Sequence, residues 1–341
     1  MEILKDCRAI NDDLLEQLIN GGFKEFKEFV KKTEKSEDKL ALCFRGNSNP
    51  ESVVIYYNNH YVWKLYIRNS KLSVEISFNH ARYSKDWKEK YDILCNKYNF
   101  KKKENIYNKE NEVDIKKLTA SIPLDNEFNK EFVEGTFNII LPLMKDYFNQ
   151  DLEYDYFKMK NIKHKNYLEK IKQHELYFRY NNLDNGICIY DLEFAQPMMK
   201  NKEDNNQPDM LGLEFKHGKP KKLLFIEVKS KKTAMLGKSG IIEHVTKMEK
   251  YIKDSANEET IKNRIIEANK ILEQYRKLGL RNIKQKYYFT TLPIKIFVIL
   301  TNEAAKDFNE NNNIYKLLQA KEYKVEINDE LKEVYIYKTL T

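Results

Sequence analysis

The sequence predicts an α/β protein with a central mixed sheet in its C-terminal half, preceded by an α+β domain built on an antiparallel meander. Three observations carry this. Between Leu40 and Tyr83 apolar residues recur at every second position. After Lys163 a helical pattern, three strand-like runs, two helical patterns and a further strand-like run follow one another. Between these regions lies an acidic, aromatic connector, Asp151 to Tyr156, where a boundary divides the chain into residues 1–155 and 156–341. A chain of 341 residues suits two domains.

The N-terminal elements follow from spacing. From Asn11 to Lys32, Leu14, Leu15, Leu18, Phe23, Phe26, Phe29 and Val30 recur at helical intervals interrupted by Gly21-Gly22, which predicts two short helices. The period then falls to two in Tyr61, Trp63, Leu65 and Ile67 and again in Leu72, Val74, Ile76 and Phe78. Asn58-Asn59 supplies a tight turn after Val53–Tyr57. The polar stretch from Asn96 to Lys117, carrying Lys101-Lys102-Lys103, reads as a surface loop, either a solvated charge run or a phosphate contact. A helix is expected from Glu127 to Gln150, broken near Pro142. The aromatics Tyr56, Tyr57, Tyr61, Trp63, Tyr66, Phe78 and Tyr83 either pack a β core or stack bases on an exposed sheet face.

Beyond the boundary, a helix over about Lys163 to Tyr180 leads into strands at Ile187–Phe194, Asp209–Phe215 and Leu223–Lys229. A turn at His217-Gly218-Lys219-Pro220 joins the last two. Helices at Ile241–Ile252 and Glu258–Leu278, a strand at Ile294–Leu300 and a mixed segment ending in Val334–Tyr337 complete the pattern.

Composition narrows the class. Hydrophobic residues at 41% and aromatics at 13%, interleaved with charge, exclude a disordered chain. A formal charge of +8 favours a polyanionic partner. Cys7, Cys43, Cys95 and Cys188 lie far apart without a CxxC pair, which suggests neither a zinc site nor a disulfide framework and fits a reducing cytoplasm. Met1 to Asp6 lacks a basic region followed by an apolar stretch, and no run approaches a membrane span, so a soluble cytoplasmic protein with no membrane partner is expected.

The run Leu223-Leu224-Phe225-Ile226-Glu227-Val228-Lys229 is apolar on both faces until its end, as in a strand covered on both sides. Side-chain alternation puts Glu227 and Lys229 on one face, so a carboxylate and an ammonium emerge together from a buried strand. Asp209 opens the neighbouring strand with Leu211, Leu213 and Phe215 on its own face. If Asp209 and Glu227 share a face, their like charges call for a divalent cation. Two acids and an adjacent lysine, surrounded by Lys216, Lys219, Lys221, Lys222, Lys231, Lys232 and Lys238, form an inventory for phosphodiester hydrolysis.

Pro208-Asp209, with Glu227-Val228-Lys229 beginning eighteen positions after the aspartate, resembles the signature of the PD-(D/E)XK nuclease superfamily. The resemblance covers about Lys163 to Leu300 and leaves residues 1–155 out. It implies a restriction-endonuclease-like αβββαβ core, a Mg2+ cofactor for which Mn2+ substitutes, and a nucleic-acid substrate, DNA rather than RNA. It further implies that Asp209, Glu227 and the Val228 backbone carbonyl hold the metal, that Lys229 sits near the attacking water, and that a helix acid assists. Glu175 is the matching candidate for that acid, on the stripe Leu168, Ile171, Glu175, Phe178.

An E-x-K triplet alone means little in this chain, as Glu25-Phe26-Lys27, Glu322-Tyr323-Lys324 and Glu330-Leu331-Lys332 show. Glu214-Phe215-Lys216 is the nearest rival, but Glu214 alternates to the face opposite Asp209. His244 and Lys247, on the helix after the strand, are candidates for substrate contact together with Lys231 and Lys238. Gly237-Lys238-Ser239-Gly240 is either a phosphate-holding helix entry or a loop with Ser239 as N-cap. Glu193 reads equally as a solvent-facing strand residue or a metal ligand.

The expected function is a Mg2+-dependent nuclease with an N-terminal domain for substrate engagement, homodimerisation or control. A role in defence or restriction would suit it. The rivals are a catalytically inactive nucleic-acid-binding module on the same fold, and an interaction protein in which Glu227 and Lys229 form only an ion pair.

Overall fold

The computed structural model describes residues 8–78, 86–102, 105–107, 113–115, 117–148, 167–192, 208–231, 237, 240–306, 308–309 and 312–340. They fall into two compact units, one within Cys7–Tyr167 and one within Leu168–Thr341. The connector expected at residues 151–156 lies outside the described residues. No helix among the described residues is long and apolar enough to cross a membrane.

The N-terminal unit opens with α1 (Asp12–Ile19) and α2 (Lys24–Thr33). Asn11 caps α1 by accepting from the Leu14 N–H at 2.8 Å. The break between them needs glycine, because a Cβ at Gly22 would lie 2.0 Å from Leu72 Cδ1 and 2.6 Å from the Asn126 carbonyl oxygen. Then come β1 (Ala41–Arg45), β2 (Ser52–Tyr57), β3 (His60–Arg68) and β4 (Lys71–Ser77), the expected antiparallel meander. Asn58 and Asn59, with φ of 47° and 58°, form the tight turn between β2 and β3, a left-handed pair that asparagine tolerates.

Described residues within the stretch expected to be a loop form regular elements. α3 (Trp87–Tyr98) is followed by β5 (Lys101–Lys102), a small hairpin of β6 (Asn105–Tyr107) and β7 (Val113–Ile115), and β8 (Lys117–Pro123). β8 pairs with β4 inside a six-stranded antiparallel sheet of order β1-β2-β3-β4-β8-β5. Strands of two or three residues carry no readable period, and β8 alternates only Leu118, Ala120 and Ile122 between polar positions. α4 (Lys130–Phe148) runs unbroken through Pro142. Its buried face of Val133, Phe137, Ile140, Leu143 and Met144 holds the helix despite the hydrogen bond that proline removes. Trp63, Tyr56, Tyr57, Tyr66 and Phe78 are buried, so these aromatics pack core rather than present a stacking face. Tyr83 lies outside the described residues.

The C-terminal unit runs α5 (Tyr167–Arg179), β9 (Ile187–Leu192), β10 (Met210–Lys216), β11 (Lys219–Lys229), α6 (Ile241–Lys253), α7 (Glu258–Leu278) and β12 (Ile294–Leu300). α8 (Asn302–Lys306), α9 (Asn313–Ala320), β13 (Lys324–Asn328) and β14 (Glu333–Leu340) resolve the terminal segment. The sheet is mixed, of order β13-β14-β12-β11-β10-β9. Only β11 and β12 are parallel, and α6 and α7 make the crossover that parallel neighbours need. His217 and Gly218, with φ of 52° and 67°, close the β10–β11 hairpin two residues wide. β11 therefore starts at Lys219, four residues earlier than its apolar run, and absorbs Pro220 at a bulge where Glu214 pairs with Lys222 but Phe215 with Pro220.

Arg281 ties α5 to the sheet edge. Buried, with φ of 62°, it donates to the Tyr177 carbonyl at 2.6 Å, to the Tyr180 carbonyl at 3.2 Å and to the Ile189 carbonyl, and its guanidinium lies 3.9 Å from the Tyr177 ring centroid. Those first two acceptors are carbonyls at a helix C-terminus, where a cation is favoured.

Candidate active site

β11 is buried from Leu223 through Lys229, so the two charged residues at its end are held out of water. The register pairs Met210 with Ile226 and Leu211 with Phe225; one step further it sets Asp209 beside Glu227. Paired residues in an antiparallel ladder share a face. Asp209, Glu227 and Lys229 thus lie on one face of adjacent strands.

Lys229 Nζ is 2.6 Å from Glu227 Oε1, and His244 Nδ1, from α6, is 2.7 Å from the same oxygen. Glu227 Oε2 is buried without a hydrogen-bond partner among the described residues. Such an atom retains its desolvation cost uncompensated. Asp209 Oδ2 accepts from the Val228 N–H at 2.8 Å. In a strand the N–H and C=O of one residue point to the same side, so the Val228 carbonyl also faces the β10 edge. By register its neighbour there is Pro208, which has no N–H to offer it.

Electrostatics follows from this crowding. Burial and then the facing Glu227 carboxylate push the Asp209 carboxyl well above the usual carboxylate range, against the opposing pull of Lys229 and the Val228 N–H. Burial also works against the Glu227 anion, but its contacts with His244 and Lys229 outweigh that and hold its carboxyl below the usual range. For Lys229 burial opposes the charge, and Glu227, Asp209 and Glu169 overcome it, so its ammonium is held charged.

Glu169 is a further acid beside this cluster, one that the sequence reading did not single out. It is buried on α5, its Oε1 accepts from the Ser230 N–H at 3.3 Å, and burial first, with Glu227 adding, raises its carboxyl pKa against the effect of Lys229 and Lys231. Glu175, expected in that role, points away. Its side chain is 49% exposed and pairs with Lys172 at 3.0 Å and with Arg179. The buried stripe is Glu169, Gln173, Leu176 and Tyr177, whereas Ile171 and Phe178 are half-buried. Apolar residues occupy both sides of this helix, so the 3.6 period has two solutions.

The other expectations divide. His244 belongs to the cluster, but Lys247 pairs with Glu243 on its own helix at 3.4 Å. Lys231 is close enough to Glu169 to favour its anion. Lys238, Ser239, Lys232 and Glu193 lie outside the described residues; Gly240, not Ser239, is the N-cap of α6. Lys216, Lys219, Lys221 and Lys222 do not surround the site. They sit toward the hairpin end of β11, about 23–33 Å from Lys229 at roughly 3.3 Å per residue. Glu214 indeed faces the opposite way, bonded to Lys222 at 2.8 Å and Lys295 at 2.7 Å.

No group of three or more His, Cys, Asp or Glu side chains is gathered at metal-ligand spacing among the described residues. No protein-family model, curated protein or solved structure matches the chain. The donor set nonetheless suits a hard divalent cation: carboxylates on Asp209 and Glu227, an unpartnered Glu227 Oε2, and the Val228 carbonyl on the same edge.

Proposed function

We propose that the C-terminal unit is a metal-dependent nuclease with a restriction-endonuclease-like core, acting on DNA rather than RNA. The observation that carries this is the conjunction of Asp209, Glu227 and Lys229 on one face of two paired strands, with Glu227 Oε2 buried and unpartnered. The element order of helix, three antiparallel strands, helices and a parallel fourth strand supports it. So does the Pro208-Asp209 and Glu227-Val228-Lys229 resemblance.

Asp209, Glu227 and the Val228 carbonyl would hold Mg2+ or Mn2+, with Glu169 adding a third carboxylate. A bound cation polarises the phosphoryl group and favours ionisation of the attacking water. Asp209 and Glu227 concentrate negative charge that repels a phosphate unless it is neutralised. Lys229, kept charged, can orient water or donate to the phosphate oxygen on which charge develops. His244 acts through Glu227, fixing its Oε1. The N-terminal unit is assigned to substrate engagement, homodimerisation or control.

Incubating the full chain with labelled single- and double-stranded DNA and RNA should give cleavage with Mn2+ and none with EDTA. Lys229→Ala should lose about 100- to 1,000-fold of that activity. Absence of metal-dependent cleavage on every substrate, with no change of Tm on metal titration, would instead favour the inactive binding module.

Two variants separate the helix acids. Glu169→Gln should retain the contact to Ser230 yet raise the Mn2+ concentration for half-maximal rate and cut the rate about 10- to 100-fold. Glu175→Gln should cleave within about twofold of wild type, as a solvent-facing residue does. The reverse ranking would return the role to Glu175.

A further inference from the structure

Beside the candidate site the unit carries an open groove of about 840 Å³ that the hydrolytic cluster does not use. Its near wall is attached to the catalytic strand. The Thr301 N–H donates to the Lys229 carbonyl at 2.9 Å and the Ala304 N–H to the Ser230 carbonyl at 3.2 Å. A second wall residue, Lys172, stands three positions after Glu169 on α5. The far wall is the end of β13, with Ile327, and the β13–β14 turn, with Leu331 and Lys332.

The chemistry of this lining is unusual for a solvated surface. Ile327 is 48% and Leu331 42% exposed, two of the few large apolar side chains so open among the described residues. Lys306 and Lys332 line the same groove and have no acidic partner among the described residues. The acids there offset them little: Glu333 is already engaged by Lys172, Arg179 and the Tyr335 hydroxyl, which leaves Asp329. Aliphatic surface flanked by ammonium groups that have no acidic partner among the described residues fits an apolar base face joined to phosphate, and the volume lies within the range of small-ligand sites.

We propose that this groove is a subsite for one or two unpaired nucleotides next to the phosphate being hydrolysed, which makes the protein selective for single-stranded nucleic acid. Ile327 and Leu331 cover the base, and Lys306 and Lys332 contact the flanking phosphates. The assignment rests on the nuclease reading for its direction, but binding tests it without cleavage.

The measurement is fluorescence anisotropy of a labelled twelve-residue oligo(dT) and of a blunt hairpin duplex, with the full chain in EDTA over a salt series. Wild type should prefer the single strand. Lys306→Glu with Lys332→Glu should weaken oligo(dT) binding at least tenfold and flatten the slope of log K against log salt by about 1.4, for two phosphate contacts. Leu331→Ala should weaken it about 3- to 10-fold, as loss of apolar burial against the base does, with the slope unchanged. A matched control, Lys277→Glu with Lys286→Glu, should stay within about threefold, and all variants should keep the wild-type Tm. Equal losses in control and groove variants, equal affinity for the duplex, or competition by poly-glutamate as effective as by oligo(dT) would overturn the proposal. If the groove variants lose binding as stated while no metal supports cleavage, the nuclease reading fails and the subsite stands. If cleavage requires Lys229 but the groove variants bind normally, the subsite alone fails.

Discussion

Asp209→Asn is expected to lower metal-dependent cleavage by at least about 1,000-fold and, at the same time, to raise the Tm at neutral pH. The first effect follows from removing a charge that would hold the cation. The second follows from the crowding of Asp209 by burial and by Glu227, which displaces its carboxyl pKa upward. A carboxyl whose folded-state pKa lies above its unfolded value of roughly 3.9 stabilises the fold fully below that value. The contribution is lost as pH rises through the folded-state pKa, so toward neutral pH, where the unfolded chain's carboxyl is ionised, the aspartate is a net burden on the fold. Asparagine keeps an acceptor for the Val228 N–H without the charge, and a gain of about 0.5–2 kcal/mol is expected. For a unit of this size that is roughly 1–8 °C in Tm.

Two controls make the result diagnostic. The difference in Tm between variant and wild type should shrink as pH falls toward 4, where the carboxyl of the unfolded chain takes up its proton as well. Adding Mg2+ should raise the Tm of wild type but not of Asp209→Asn, because only the wild type offers the paired charges. A variant that is less stable than wild type at pH 8, or that cleaves normally, would remove Asp209 from the site. Stability sacrificed at a functional carboxylate is the ordinary trade-off of an active site; a purely structural Asp209–Glu227–Lys229 cluster would lose stability instead.

The parts of this site that the sequence made legible are those governed by the strand period of two. Once the His217-Gly218 turn fixes the hairpin, parity alone puts Asp209 with Glu227 and sends Glu214 to the other face, and the register agrees. The helical period is less binding. In α5, Leu176 and Tyr177 on one side compete with Ile171 and Phe178 on the other, and the polar residues Glu169 and Gln173 lie on the buried side. An amphipathic reading chose the wrong face, and with it Glu175. Length along a strand was the second obscurity. The lysines of the β10–β11 turn are close to Glu227 in sequence, but an extended chain carries them to the opposite end of the sheet. Proline gave the third: at Pro142 it signalled a break, yet tertiary burial keeps α4 continuous, while at Pro208 its missing N–H leaves the Val228 carbonyl without a ladder donor.

Glu333→Ala is expected to have the largest effect on stability, about 2–4 kcal/mol, through a cluster that holds α5 against β14. Glu333 is buried and takes Lys172 at 2.6 Å, Arg179 at 2.9 and 2.8 Å and the Tyr335 hydroxyl at 2.8 Å. Its removal leaves two partly buried cations sharing only the exposed Glu175. Breaking a buried pair from one side costs about 3–5 kcal/mol, and the solvent access of Lys172 and Arg179 reduces that. The pH dependence has the opposite sign to that of Asp209. Burial disfavours the Glu333 anion, but Lys172, Tyr335 and Arg179 more than compensate and depress its pKa. Its contribution is therefore present above the unfolded value of roughly 4.3 and lost as pH falls through the folded-state pKa. Denaturant melts of wild type and Glu333→Ala should differ fully at pH 7 and converge at pH 3. Because α5 also carries Glu169, the variant should need more Mn2+ for half-maximal cleavage even at temperatures where it remains folded. An equal difference at pH 3 and pH 7 would show that lost packing, not charge, fixes the helix that brings Glu169 to Ser230.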